Sequence, residues 1–265
     1  SGHRRRRDHP QPLGGGRVRG RGGLMRFDVL TIFPEVFPGP LKVGVIGRAL
    51  EAGVLELQAH DLRDFSQGPH RQVDDVPFGG GPGMVLKPEP LIRAVRSLRD
   101  EVPGLRTVLL SPQGRSFDEE VARELAAEPA LLLVCGRYQG VDERAREEIG
   151  EELSIGDYVL SGGELAAMVV IEVVGRLVPG VVGSPESLVG ETFSAAEEPL
   201  FEAPLYTRPA VFEDKQVPEI LRSGHHAAIE RWRREQGARQ VRERRPDLVG
   251  TTGRYHGRRK EGGAP

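Results

Sequence analysis

Three glycine-bearing segments stand out as able to hold a small ligand: Ser111-Pro-Gln-Gly114-Arg115, Gly136-Arg-Tyr138-Gln-Gly140-Val-Asp142 and Gly156-Asp-Tyr158-Val-Leu-Ser-Gly162-Gly163-Glu164. Glycine lets backbone N–H and C=O groups approach a bound molecule with no Cβ in the way. Taken singly, each segment reads equally well as a turn. Taken together, three such loops leaving one sheet in sequence converge on its carboxyl edge, where α/β proteins place ligands. None has the Gly-x-Gly-x-x-Gly spacing or the Lys-Ser/Thr ending of a phosphate loop, which disfavours a dinucleotide or a nucleoside triphosphate.

Other polar constellations are less telling. Asp74-Asp75-Val-Pro-Phe78-Gly79-Gly80-Gly81-Pro-Gly83-Met84 reads as a flexible lid or a loop against RNA, and two adjacent acids point to opposite sides and chelate a cation poorly. His225-His226 has no Cys, Glu or third His at ligand spacing, so a helix start or an RNA contact is the better reading than a metal site. Trp232, near Ile229, is expected to pack in a core rather than stack on a base.

The elements that must position these loops follow from hydrophobic periodicity. Strands are expected over residues 26–33, 55–61, 107–110 and 131–134, and helices over 41–52, 88–100, 117–126, 141–149 and 165–174. Strand–helix alternation with continuous apolar strands predicts an α/β fold, a parallel sheet with helices on both faces. Residues 178–210, rich in Pro, Gly, Ser and Glu, read as a long linker, and a second, all-helical domain is expected beyond it, with short helices over 218–221, 227–236 and 238–244. Residues 1–24, rich in Arg, Gly and Pro, are expected to be a disordered extension ahead of Met25.

Composition narrows the function classes. The chain has 265 residues, enough for one large domain and a smaller one. Its single cysteine, Cys135, rules out an internal disulfide framework and fits a reducing cytoplasm. No stretch approaches the roughly 20 apolar residues of a membrane helix. A formal net charge of −2 hides basic ends: residues 1–24 hold seven Arg against Asp8, and residues 231–260 hold ten Arg and Lys260 against Glu235, Glu243 and Asp247. Such ends are either solvated surface or a footprint for a polyanion.

The segments in order resemble the bacterial tRNA (guanine-N1)-methyltransferase family, which modifies the guanine 3′ of the anticodon, position 37. The resemblance spans roughly residues 25–248. It rests on Phe33-Pro-Glu-Val-Phe37, the Asp74-to-Met84 loop, Leu110-Ser-Pro-Gln-Gly-Arg115, Val134-Cys-Gly-Arg-Tyr-Gln-Gly140, Ser154-Ile-Gly-Asp-Tyr-Val-Leu-Ser-Gly-Gly-Glu164, Tyr206-Thr-Arg-Pro209 and Gly224-His-His-Ala227.

That resemblance implies a SPOUT-type knotted α/β domain (25–177), a linker (178–210) carrying the catalytic carboxylate, and a helical tRNA-binding domain with a basic tail (211–265), acting as a homodimer. It implies S-adenosylmethionine held by Leu110, Ser111, Pro112, Gly136, Tyr138, Gln139, Gly140, Val141, Ile155, Tyr158, Leu160, Gly162 and Gly163. Asp74, Arg208 and His226 would contact tRNA. Glu191 would be the general base and Arg176 the partner of charge building on guanine O6, in a reaction that supports maintenance of the reading frame.

Three departures from the family pattern bear on this. Glu191 stands where the family has aspartate, keeping the carboxylate but adding a methylene. Gln139 stands where glutamate is common, which weakens any site for the Mg²⁺ that the resemblance implies as a possible cofactor; no metal ligands are assigned. Val76 and Phe78 replace the commoner Arg and Tyr. Two alternatives remain at this level: a relative that binds cofactor or RNA with impaired catalysis, and a knotted methyltransferase with another RNA target.

Overall fold

The computed structural model describes residues 25–184, 191–193 and 201–249. The extension before Met25, the basic residues from 250 onward, and most of the stretch 184–198, for which disorder is the sequence expectation, lie outside the described residues.

The chain builds β1 (Met25–Thr31), α1 (Gly44–Glu51), β2 (Leu55–Asp61), the two-residue strands β3 (Asp74–Asp75) and β4 (Val85–Leu86), α2 (Pro88–Glu101), β5 (Leu105–Ser116), α3 (Glu119–Ala126), β6 (Ala130–Cys135), α4 (Glu143–Ile149), β7 (Glu152–Ser154) and α5 (Glu164–Leu177). A short β8 (Val211–Phe212) and β9 (Lys215–Gln216) precede α6 (Glu219–Arg222) and α7 (His226–Arg244). Five strands form one parallel sheet in the order β2-β1-β6-β5-β7.

Why the central strands are apolar throughout follows from their two covered faces. On β6, Leu131, Leu133 and Cys135 join α1, α3 and α5 in one core, while Ala130, Leu132 and Val134 join α2 and α4 in the other. Every residue of β6 is buried, so alternation would have cost stability and a continuous run does not. Two buried polar side chains interrupt β1: Asp28, held by Arg26 and by His60 Nε2 at 2.7 Å, and Thr31 at its carboxyl end.

Four differences from the sequence expectation have local causes. The first helix begins at Gly44, because Pro40–Lys42 forms a 3-10 turn and Val43 is extended. The third strand runs past Leu110 to Ser116, and β7 is an additional edge strand. The region after the linker contains a β-hairpin, β8–β9, whose two turn residues, Glu213 (φ 48°) and Asp214 (φ 63°), take the left-handed geometry that matches strand twist. Finally, α7 is one helix of 19 residues rather than two. Gly237, where a break is expected, is buried one turn before buried Val241, so the helix tolerates a glycine that costs about 1 kcal/mol relative to alanine. Trp232 on the same helix is half-buried.

Candidate active site

The three glycine segments meet at the carboxyl ends of β5, β6 and β7. Strand β5 pairs with β7 in two registers, Leu109 and Leu110 against Glu152 and Leu153, then Arg115 and Ser116 against Leu153 and Ser154. Residues 111–114 between them are therefore pushed out of the ladder as a bulge, a device that re-aims side chains at the edge of a sheet. Gly114 makes this possible, since a Cβ there would sit 2.5 Å from the backbone of Glu152 and Leu153.

Strand β6 ends at Cys135 and turns through Gly136, Tyr138 (φ 59°) and Gly140 (φ 131°) before Asp142 caps α4 by accepting from Arg144 N–H. The third loop closes against the second: Gly163 N–H donates to Gly136 O at 2.9 Å, and a Cβ on Gly163 would lie 2.7 Å from Cys135 Cα. All thirteen residues expected to hold the cofactor line one cleft of about 210 Å³. Gln113, Arg137, Arg146, Ser154 and Ser161 line it too.

A buried polar post supports the cleft from behind. Glu164, 4% exposed at the first turn of α5, accepts from Thr31 Oγ1 at 2.8 Å and faces Arg137 Nε at 3.4 Å. The Arg137 guanidinium lies 4.6 Å from the centre of the Phe33 ring, within cation–π range. One carboxylate thereby ties β1, the second loop and α5 together. Sequence reading missed this role, although Glu164 directly follows the Gly162-Gly163 pair. Burial, reinforced by the charge of Glu164, pushes the neighbouring Cys135 thiol well up, so it stays protonated.

The glycine-rich arm containing residues 79–83 packs against the second loop. Gln139 N–H donates to Met84 O, Leu86 N–H to Gly140 O and Asp142 N–H to Leu86 O, each at 3.0 Å. Asp74, on β3 of this arm, adds to burial in pushing the Tyr138 phenol up, against the pull of Arg63 and Arg137. Phe78 on the same arm is fully exposed.

Glu191 and Arg176 are brought together elsewhere. Arg176 Nη2 donates to Glu191 Oε1 at 2.7 Å, with side chains 37% and 32% exposed. Arg176 lies near the carboxyl end of α5, whose amino end lines the cleft. At 1.5 Å per residue, the 10 steps from Ala166, the last residue of α5 to line the cleft, span about 15 Å. Neither residue lines the cleft, and neither do Asp74, Arg208 or His226. Arg208 precedes a cis proline and His226 opens α7, both exposed. Among the described residues no group of three or more His, Cys, Asp or Glu is placed to hold a metal ion, and no helix is long and apolar enough to cross a membrane.

The family model described as tRNA (Guanine-1)-methyltransferase TrmD matches residues 25–251. The chain belongs to this family. Among its relatives, the tRNA (guanine-N(1)-)-methyltransferase of Syntrophotalea carbinolica is 52% identical over 225 residues, covering 85% of this chain and 90% of the relative. That of Chloroflexus aurantiacus is 55% identical over 228 residues, covering 85% and 88%. The Dictyoglomus turgidum relative is 49% identical over 229 residues, covering 86% and 91%. The match of this tRNA (guanine-1)-methyltransferase family begins at Met25 and takes in the cleft, the Arg176–Glu191 pair and α7.

Proposed function

We propose that this chain transfers a methyl group from S-adenosylmethionine to N1 of guanosine 37 in tRNA, in the cytoplasm, as a homodimer with a knotted cofactor domain, and so helps hold the reading frame. The observation that carries the reading is the 2.7 Å pair of Glu191 and Arg176 in a member of this family. A carboxylate beside a guanidinium presents an acceptor next to a donor. Guanine offers the complement on its Watson–Crick edge, N1–H beside O6, whereas adenine offers an acceptor N1 beside a donor amine.

The cleft suits S-adenosylmethionine. It is walled by Leu110, Ile155, Leu160, Tyr138 and Tyr158, and open space lies beside Gly136 and Gly140, where a Cβ would meet nothing closer than 3.5 Å. The lining residues would hold the adenosine and methionine parts by apolar contact and backbone hydrogen bonds. When bound, S-adenosylmethionine supplies an electrophilic methyl, so that the N1–C bond forms as the S–C bond breaks. Glu191 takes the N1 proton, and Arg176 donates toward O6 as negative charge grows on the ring.

Ala166 is the last residue of α5 to line the cleft, which leaves the pair about 15 Å further along the helix; this separation supports a site whose two halves come from different subunits. Val159, Leu165 and Val169, exposed on the third loop and on α5, are the apolar groups that such an interface would cover. The basic helix α7 and its tail, with Arg208 and His226, would meet the tRNA backbone. Gln139 brings no charge to the cleft, and among the described residues no cluster of His, Cys, Asp or Glu is placed to hold Mg²⁺.

The test is single-turnover methylation of tRNA transcripts carrying G or A at position 37. Glu191→Gln is expected to lower the rate by about 10²- to 10⁴-fold with cofactor affinity nearly unchanged. Equal product on both transcripts would sink the guanine assignment, and a Glu191→Gln enzyme of wild-type rate would remove Glu191 as base.

A further inference from the structure

The carboxylate proposed as base sits on a linker, and its neighbours in the chain are pinned in a way the reaction has not yet used. Phe193, two residues after Glu191, has φ 70°, a left-handed conformation that an aromatic L-residue keeps only when its surroundings hold it there. Its ring meets that of Phe201 edge to face, 6.1 Å between centroids and 83° between planes. Beside the rings, Glu202 N–H reaches Thr192 Oγ1 at 3.4 Å. Two points of the linker eight residues apart are thus brought side by side, immediately after the Arg176–Glu191 contact.

We propose that the Phe193–Phe201 pair is a staple that positions Glu191 for proton transfer. The inference rests on Glu191 being the base. Glutamate has one more rotatable bond than aspartate, so its oxygens sweep a wider volume from the same Cα. A fixed backbone just beyond Glu191 restricts that sweep and keeps the carboxylate beside Arg176. Misplacement of a reacting group by about 1 Å can cost on the order of 10²-fold in rate, and an edge-to-face aromatic pair is a directional contact suited to preventing it. Phe193 and Phe201 touch neither cleft nor reacting atoms here; they are positioning residues, acting through Glu191.

The experiment uses the full-length enzyme, S-adenosylmethionine and the G37 transcript under single-turnover conditions. Phe201→Ala is expected to lower the rate roughly 10- to 100-fold while leaving cofactor and tRNA affinities unchanged. Phe201→Tyr, which keeps the ring, should restore most of the rate. Two readouts separate positioning from a general loss of linker structure. In the Glu191→Gln background, Phe201→Ala should cost nothing further, because the group it positions is gone. As pH rises and guanine N1 deprotonates in solution, the Phe201→Ala deficit should narrow, because a base is then needed less. A deficit equal in both backgrounds, or constant with pH, overturns the proposal, as does a Phe201→Ala enzyme of wild-type rate beside an inactive Glu191→Gln. If Glu191→Gln itself keeps the wild-type rate, the base assignment falls and the staple with it.

Discussion

Replacing Glu164 by glutamine keeps the shape of the side chain and removes its charge, and the structure says what that should cost. Glutamate there accepts from Thr31 Oγ1 at 2.8 Å and faces Arg137 Nε at 3.4 Å, while being 4% exposed. An amide can still accept at one end, but its NH2 must then confront the other donor. A hydrogen bond to a charged group contributes about 1.5–3 kcal/mol, and removing one partner of a fully buried ion pair costs about 3–5 kcal/mol. The Arg137 side chain is 26% exposed, so water offsets part of its lost counter-charge. The expected loss is therefore about 2–3 kcal/mol, a factor of roughly 30 to 150 in the folding constant. In a chain of this size the melting temperature should fall by roughly 4–12 °C. Urea unfolding of wild type, Glu164→Gln, Arg137→Met and the double variant measures both the loss and the coupling. A coupling of about 1 kcal/mol or more is expected for residues in contact. Cofactor affinity should fall as well, because Arg137 and the Gly162-Gly163 turn that rests on Glu164 both line the cleft. A Glu164→Gln protein within about 0.5 kcal/mol of wild type, with no coupling to Arg137, would refute the view that this carboxylate ties the cleft together.

Two further outcomes follow from the same geometry. Gly114→Ala places a Cβ 2.5 Å from backbone atoms of Glu152 and Leu153, an overpacking of about 1–3 kcal/mol that must move the bulge; calorimetric titration should show cofactor affinity weakened by roughly 5- to 150-fold, and unchanged affinity would mean that the bulge does not shape the cleft. For Asp28, burial pushes the carboxyl up, but its hydrogen bonds with His60 and Arg26 outweigh this and hold it below the usual range; stability from a carboxyl lowered on folding is present above its unfolded pKa of about 3.9 and is lost as pH falls through the folded value. The stability gap between wild type and Asp28→Asn, read by urea unfolding, should thus be full near pH 6 and shrink below about pH 4, and a gap independent of pH would contradict it.

How far the sequence reveals the fold depends on whether a residue's job is local. Residues 131–134 are apolar because both faces of β6 are covered, and that pattern needs no knowledge of partners. Strand β7 has three residues and opens with Glu152, so nothing periodic marks it; it exists because β5 bulges and offers it two registers. Gly237 looks like a helix break and is not one, since burial beside Val241 decides what propensity alone leaves open. In the site, glycine spacing marks the cleft loops because backbone approach demands glycine. Glu164 and Thr31 are 133 residues apart, and no spacing rule joins them. Likewise the Phe193–Phe201 contact depends on one left-handed residue that sequence does not flag.

The separation of the cleft from the Arg176–Glu191 pair constrains any account of catalysis by this chain. Helix α5 connects them, with Ala166 lining the cleft and Arg176 near the other end, and a helix packed on β1 and β6 cannot shorten the intervening distance of about 15 Å. A reaction that needs methyl donor, base and guanine within contact of one another therefore needs a second polypeptide if these residues carry it. The same helix supplies the means: Leu165 and Val169, exposed one turn apart, lie on the stretch that separates the two functional ends. A twofold-related copy whose α5 lay antiparallel on that stretch would set the cleft of one subunit against the Glu191 of the other, since in an isologous interface residue i of each copy meets residue j of its partner. On the proposed reading, the apolar face of α5 would determine whether the two chemical halves meet, and Glu191 would act across a subunit boundary rather than within one chain.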